Sequence, residues 1–288
     1  MKMMSDINDD EIRIIGNSRK GDGRKHISWW VWAVCTIVVL AVTMFVLHPK
    51  QQDVLPQGDT TPAMVIETCD AGIWHSNNDV SLPSCVLVTD TLIDRLHLRI
   101  LTPCNTVPEL HVGKLDTNDS DILMAAMAAD LRRDNGKIVG AFVYNGEPLS
   151  WGLSKKGYCA ISDEQIAIGV AENSPLFEQM TETGGYFFRQ YPAVDKGTMV
   201  ENNPENASYR RALCLLEGKV CIVACTDRVL MNDFSATLVK LGVSEAILLV
   251  GGATDGWFRS NEGQMIRLGP AYDKNARYVN YIVFRKQS

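Results

Sequence analysis

Tyr209–Asp255 decides how this chain is read. It runs Y-R-R-A-L-C-L-L-E-G-K-V-C-I-V-A-C-T-D-R from Tyr209 to Arg228, passes through a helix-like stretch, and continues A-I-L-L-V-G-G-A-T-D from Ala246 to Asp255. Tyr209–Leu216 and Lys219–Cys225 are rich in β-branched and apolar residues around Glu217-Gly218, the signature of a hairpin with a two-residue turn. Asn232 or Asp233 caps a helix that Gly242 stops. Ala246–Val250 is a short continuous apolar run, which suits a strand buried on both faces. Polar residues fall at the ends of these elements: Arg210, Asp227, Arg228 and Asp255. Gly251-Gly252 and Thr254 follow the buried strand, where backbone can approach a ligand closely. A plain tight turn is the other reading of the glycine pair, and Asp255-Gly256 can itself be a turn.

Outward from this region the signals are mostly short strands. Cys85–Thr89 and Leu96–Leu101 alternate or are apolar, Lys137–Tyr144, Leu149–Leu153 and Gln165–Val170 read as further strands, Tyr186–Val194 is aromatic and extended, and Tyr278–Phe284 alternates as a closing strand. Asn145-Gly146-Glu147-Pro148 is a turn sequence. Asp119-Ser120-Asp121 before I-L-M-A-A-M-A-A-D-L-R-R reads as an N-cap and a helix, closed by Asn135-Gly136. Ser174–Thr181 reads as a second, short helix. Strands and two or three helices without a regular βαβ rhythm define an α+β domain with a mixed sheet.

The chain has 288 residues and a formal net charge of −6. That balance argues against nucleic acid as a partner, because phosphate binding needs a basic face. Trp29–Leu47 reads W-W-V-W-A-V-C-T-I-V-V-L-A-V-T-M-F-V-L, without charge, Pro or Gly. Such a run nearly spans a hydrocarbon core of roughly 30 Å. Arg19, Lys20, Arg24 and Lys25 precede it and Lys50 follows, so the positive-inside rule places the N-terminus in the cytoplasm. A cleaved signal peptide is the other reading. No small-x-small site follows the run, which passes straight into His48-Pro49-Lys50, as an uncleaved anchor does. The expected organisation is a cytoplasmic tail over 1–28, a transmembrane helix over 29–47, a linker over 48–62 and a folded domain over 63–288. That domain lies outside the cytoplasm, and in the periplasm if the chain is bacterial.

Of eight cysteines, Cys35 lies in the apolar run and seven lie beyond it. Cys214 and Cys221 face each other if Glu217-Gly218 is the turn. A disulfide and two core thiols are both open readings. His75, His97 and His111 are scattered with no H-x-H or H-E-x-x-H spacing, so they read as structural, and neither a metal nor a cofactor is expected. One of Arg210 and Arg211 points inward by strand alternation, and a buried arginine needs an anion. Asp227-Arg228 is either a surface ion pair or a carboxylate and guanidinium at a cleft.

From about Asp119 to Gly256 the chain resembles the phosphodiester glycosidase family. The residues that carry the resemblance are, in order, Gly140-Ala141-Phe142-Val143, Gly146-Glu147-Pro148, Gln190-Tyr191-Pro192, Arg210-Arg211-Ala212-Leu213-Cys214, Thr226-Asp227-Arg228, Leu241-Gly242 and Leu248-Leu249-Val250-Gly251-Gly252-Ala253-Thr254. The departures are Val139 for an Asn, Leu248 and Val250 for an Asn and an Asp, and Cys214 for a Gly. The resemblance implies an exported domain acting on a carbohydrate or sugar-phosphate ligand. It implies Asp227 and Asp255 as acid or base. Arg210, Arg228, Gln190, Gly140, Gly251, Gly252 and Thr254 become substrate-binding positions. Because valine can neither protonate a leaving group nor activate water, a second reading is a non-catalytic glycan-binding protein of the envelope. A structural envelope protein with a protein partner is a third.

Overall fold

Eighteen strands and two helices make up the described part of a computed structural model, which covers residues 72–203, 206–269 and 280–287. In chain order they begin β1 (Trp74–His75), β2 (Cys85–Ile93), β3 (Leu96–Cys104), β4 (Thr106–Val112), β5 (Ile122–Met127), β6 (Ala141–Tyr144), β7 (Glu147–Trp151), β8 (Gly157–Ser162) and β9 (Gln165–Val170). Helix α1 (Leu176–Thr183), β10 (Tyr186–Gln190), β11 (Pro192–Asp195), β12 (Thr198–Met199), β13 (Ser208–Leu216) and β14 (Lys219–Val229) follow. Helix α2 (Met231–Leu241), β15 (Val243–Leu249), β16 (Gly256–Arg259), β17 (Met265–Arg267) and β18 (Asn280–Lys286) complete the fold.

The strands form three antiparallel sheets, ordered β1-β9-β8-β10-β6-β7, β12-β11-β15-β13-β14-β3-β2 and β17-β16-β5-β18-β4. Inward side chains from all three meet in one core, including Phe142, Ile161 and Phe188 of the first, Leu101, Leu213 and Ile247 of the second and Met124, Phe258 and Ile282 of the third. Each outer face has its own cover. Leu176 and Met180 of α1 pack on the first sheet, and Phe234 and Leu238 of α2 pack on the second. Leu115, from the connection before β5, joins Trp257, Tyr281 and Val283 on the third. The described part of the domain is therefore α+β, with antiparallel sheets and two helices.

The β13–β14 hairpin has the turn its sequence calls for. Glu217 and Gly218 both take positive φ, 50° and 75°, which is what a two-residue turn matching the twist of the strands requires. Cys214 stands opposite Cys221, and both are free, buried thiols.

Ile122–Met127 is a strand, not the expected helix, and all six of its residues are buried. It lies between β16 and β18, so both its faces are covered. An apolar run of this length has no polar stripe to betray its period, and burial on two sides selects a strand. Asp119 does not cap a helix; its carboxylate accepts the Asp121 N–H in a local turn and pairs with Arg285. Asn135-Gly136 closes a small hairpin in which Leu131 pairs with Ile138. Helix α2 starts two residues earlier than its candidate caps: Leu230 occupies the N-cap, and Asn232 instead accepts a hydrogen bond from the Asn202 N–H.

All described residues fall within one compact unit, Val65–Ser288. The tail, the Trp29–Leu47 run and the linker expected over 48–62 lie outside the described residues. Among the described residues no helix is long and apolar enough to cross a membrane.

Candidate functional site

Antiparallel pairing brings one set of strand ends together. Met127 at the end of β5, Gln190 at the end of β10 and Leu249 at the end of β15 join the starts of β8, β13, β16 and β18 there. Backbone bonds tie this rim: Val250 N donates to Met127 O (3.1 Å), Met127 N to Asp255 O (3.2 Å) and Leu248 N to Tyr191 O (2.8 Å). Among the described residues three buried cations sit on the rim: Arg211, Lys155 and Arg189.

The first is Arg211. It shares the inner face of β13 with Leu213 and Leu215, whereas Arg210 sits where the β13–β14 register shifts. Arg211 is 1% exposed. Its Nη1 donates to Thr254 Oγ1 (3.3 Å), Asp255 O (3.3 Å) and Val250 O (3.5 Å). Its Nη2 donates to Thr254 O (3.2 Å) and Leu268 O. A Cβ at Gly256 would come within 2.6 Å of Nη1, so the strand passes directly over the guanidinium. Burial pulls Arg211 down to about 10, against the opposing pull of Asp255. The Asp255 carboxylate, itself buried, accepts from Arg267 Nη1 at 2.5 Å.

Gly251-Gly252 closes onto this knot. A Cβ on Gly251 would lie 2.1 Å from Tyr209 O, and Gly252 takes φ of +67° while its N–H donates to that same oxygen (2.8 Å). Thr254 Oγ1 bonds back to Val250 O at 2.6 Å, with Gly251 O at 2.9 Å. The turn and Arg211 thus brace β13 to β15 and β16. Arg211, which alternation alone left undecided against Arg210, is the arginine that meets the glycine turn.

Arg210, Arg228 and Asp227 are arranged otherwise. Arg210 donates to Asn206 O (2.5 Å) and Val229 O (3.4 Å), and burial lowers its pKa. Arg228 donates to Ala207 O (2.9 Å). Asp227 Oδ2 accepts from the His97 N–H (3.2 Å) and lies 3.1 Å from His97 Nδ1, contacts that lower the Asp227 pKa. The Asp227 and Asp255 carboxylates therefore have separate partners, one on an exposed histidine and one on a rim arginine.

The second buried cation is Lys155, 3% exposed, just before β8. Its Nζ donates to Asp130 Oδ2 and to Gln190 Oε1 (2.7 Å), and lies 4.6 Å from the centre of the Tyr191 ring. Burial depresses the Lys155 pKa, and the Asp130 carboxylate partly restores it. Gln190, 2% exposed, also accepts from the Tyr191 N–H (2.9 Å) and donates Nε2 to Ala128 O (3.3 Å). Arg189 Nη1 donates to Lys155 O (2.8 Å), which pins the lysine backbone. Asn280, fully buried, takes both polar groups of Ala129: Oδ1 accepts its N–H (2.7 Å) and Nδ2 donates to its carbonyl (3.0 Å). Val139 N donates to Asp130 O (2.8 Å). Asp130 is therefore fixed from both sides along the chain.

Beside this group lies a cleft of about 660 Å³, lined by Leu131, Arg132, Lys137, Val139, Gly140 and Ser154 among others. Gly140 is at φ +90°, with its Cβ position 3.2 Å from the Arg189 Cβ. Trp151, at the end of edge strand β7, is 66% exposed. No group of three or more His, Cys, Asp or Glu among the described residues is placed to hold a metal ion.

Of the residues singled out in the sequence, Gly251, Gly252, Thr254 and Asp255 gather at Arg211. Gln190 and Gly140 belong to the Lys155 region, and Arg210, Arg228 and Asp227 lie along the β13–β14 ladder. Sequence reasoning missed Lys155, Asp130 and Asn280, and left Arg211 undecided against Arg210. Asp130 was hidden by the helical reading of the run before it, and Lys155 is the first of two adjacent lysines that nothing local distinguishes. Alternation could not choose a face for Arg211, because Ala212 and Cys214 are as buried as Leu213 and Leu215.

No protein-family model matches the chain, and no curated protein matches it in sequence. Solved structures do. The catalytic domain of zebrafish N-acetylglucosamine-1-phosphodiester alpha-N-acetylglucosaminidase, auto-inhibited by its pro-peptide, superposes with a TM-score of 0.52 at 12% identity, covering 73% of this chain and 86% of that one. A hypothetical protein from Synechocystis gives 0.48 at 13% identity, covering 70% and 62%. At this identity the likeness to the zebrafish domain is one of fold: this chain has a remote structural relationship to a phosphodiester-glycosidase fold.

Proposed function

We propose that this chain is a phosphodiester-glycosidase-like protein, held in a membrane by Trp29–Leu47, whose extracytoplasmic domain takes a glycosyl phosphodiester into the cleft at the strand ends. One observation carries the reading. On a fold related to that of a glycosyl-phosphodiester-cleaving domain, buried Lys155 and Gln190 converge on the partly exposed Asp130 near a cleft whose wall carries Lys137, and Arg132 paired with Asp134. Concave sites with a few fixed polar groups are where small ligands bind, and cations at the wall suit a phosphate. In this reading Gly140 and Gln190 serve the ligand. The Arg211 knot, with Gly251, Gly252, Thr254 and Asp255, holds the rim in shape. Arg210 and Arg228 are occupied by backbone carbonyls and Asp227 by His97, so none of the three is assigned a ligand contact.

The test is calorimetric titration of the full-length chain with N-acetylglucosamine 1-(methyl phosphate) and its glucose and mannose counterparts. Saturable binding of one of them, weakened by Gly140→Val, supports the reading. Absence of binding across the set rejects it. Reporter fusions at both ends check topology, and a cytoplasmic C-terminus rejects the orientation. A non-catalytic binding protein is the second reading, favoured by the separate partners of Asp227 and Asp255.

A further inference from the structure

We infer that Asp130 is the carboxylate that acts on the ligand, as the general base for hydrolysis of the bond between the anomeric carbon and the phosphate oxygen, with Lys155 and Gln190 as its positioning residues. The inference rests on the ligand reading above and names the reaction that reading leaves open.

Accessibility separates the two charges. The Lys155 side chain is 2% exposed and cannot reach a ligand, whereas the Asp130 side chain is 36% exposed and directly precedes Leu131 of the cleft wall. The lysine holds one carboxylate oxygen, Oδ2; the other, Oδ1, accepts no hydrogen bond among the described residues. One oxygen anchored by a buried cation and one left open is the geometry of a base aimed outward. The anchor is itself rigid. Nζ has three donors, of which Asp130 and Gln190 take two while the Tyr191 ring flanks the charge. Asn280 and Val139 fix the backbone on either side of Asp130. Holding a catalytic group in one orientation before the ligand arrives is what makes it effective.

A single carboxylate suffices for this bond. A sugar alkoxide needs a proton to leave, which is why glycosidases carry two carboxyl groups. A phosphate monoester leaves as an anion whose conjugate acid has a pKa near about 6, so at neutral pH it departs unprotonated. In the step, Asp130 Oδ1 takes a proton from water and the water oxygen bonds to the anomeric carbon. The carbon–oxygen bond breaks, and its electron pair stays on the phosphate oxygen. The products are the free sugar and a phosphate monoester, and the proton on Asp130 passes to solvent through the open side. The Val250 position, which lacks the carboxylate of the family pattern, lies on the same rim, its N–H bonded to Met127 three residues before Asp130. The working carboxylate would thus come from just beyond the end of β5.

The experiment follows methyl phosphate release by phosphorus NMR and binding by calorimetry, both with the full-length chain and N-acetylglucosamine 1-(methyl phosphate). The wild type releases methyl phosphate. Asp130→Asn lowers the rate by about a hundredfold or more while binding changes less than about threefold. Lys155→Met lowers kcat at least about tenfold with KM nearly unchanged, a split that a structural role would not produce. If Asp130→Asn unfolds by stranding the lysine charge, Lys155→Met/Asp130→Asn removes both charges at similar volume and must show the same loss of turnover with binding kept. Binding by the wild type without turnover, or turnover undiminished in Asp130→Asn, overturns the inference and leaves the ligand reading standing. No binding overturns both.

Discussion

Arg211 and Lys155 are both withdrawn from water at the same end of the molecule, and their surroundings differ in kind. Arg211 is met by four backbone carbonyls and a threonine hydroxyl, and the carboxylate near it, Asp255, is bonded to Arg267 instead. Lys155 is met by one amide oxygen and by a carboxylate that stays partly in solvent. A guanidinium has five donors in a fixed fork, so it can satisfy many carbonyls at once and act as a brace. An ammonium is a compact charge that loses more hydration on burial and gets back less from two partners. The first arrangement stabilises the fold. The second has an unfavourable element that packing alone would have removed, which is the mark of a group retained for what it does.

The largest effect that could break this contrast is at the brace. Arg211→Met is expected to lower the unfolding free energy by about 3–5 kcal/mol in urea titrations, because the carbonyls of Thr254, Asp255 and Leu268 lose their donors in a closed space. A loss below 1 kcal/mol, on the order of an ordinary surface change, would mean that water replaces the guanidinium and the brace is not structural.

Gly251→Ala comes next. The added methyl meets a backbone carbonyl, not a yielding side chain, and a loss of about 1–3 kcal/mol is expected from overpacking. Differential scanning calorimetry of this variant, alone and combined with Arg211→Met, measures whether turn and arginine act as one unit. Full additivity would separate them.

Lys155→Met is expected to lower stability by about 1–2 kcal/mol, less than the loss of one partner from a fully buried pair, since Asp130 is partly in solvent and can rehydrate. The pH dependence sharpens the point. Burial depresses the Lys155 pKa below 10.5 in the folded chain, so between the depressed value and 10.5 the unfolded chain holds more protons at this position. Stability contributed by this group therefore rises with pH through that window. Urea midpoints from pH 8 to pH 10.5 should climb more in the wild type than in Lys155→Met, and equal slopes would show that the lysine is not desolvated.

The smallest expected effect is at Asp227→Ala. Its pairing with His97 is solvent-exposed on both sides, and exposed pairs contribute little. Thermal midpoints indistinguishable from wild type are expected, and a clear drop would give the β14–β3 edge a structural role that its geometry does not suggest.

Much of the β framework was legible because its signals are local. Glu217-Gly218 can take positive φ, so the hairpin register and the Cys214–Cys221 facing followed from the turn alone. Gly242, at φ +94°, ends α2 for the same reason. The Ile122–Met127 run was not legible. Its side chains suit a helix and a doubly covered strand equally, and only neighbours on both sides distinguish them. That misreading also hid Asp130, which sits at the rim because β5 is a strand that ends there.

The sequence by itself determined where the chain turns, which runs are apolar and which class of fold they build, since turn torsions and side-chain hydrophobicity act between near neighbours. Tertiary structure alone decided which of two adjacent arginines is buried and which lysine is withdrawn from water. It also decided which aspartate is anchored on one oxygen and open on the other. Lys155, Asp130 and Gln190 are 25 and 35 residues apart in pairs about the lysine. Their energies depend on desolvation and on hydrogen bonds that exist only once three sheets have closed around a common core.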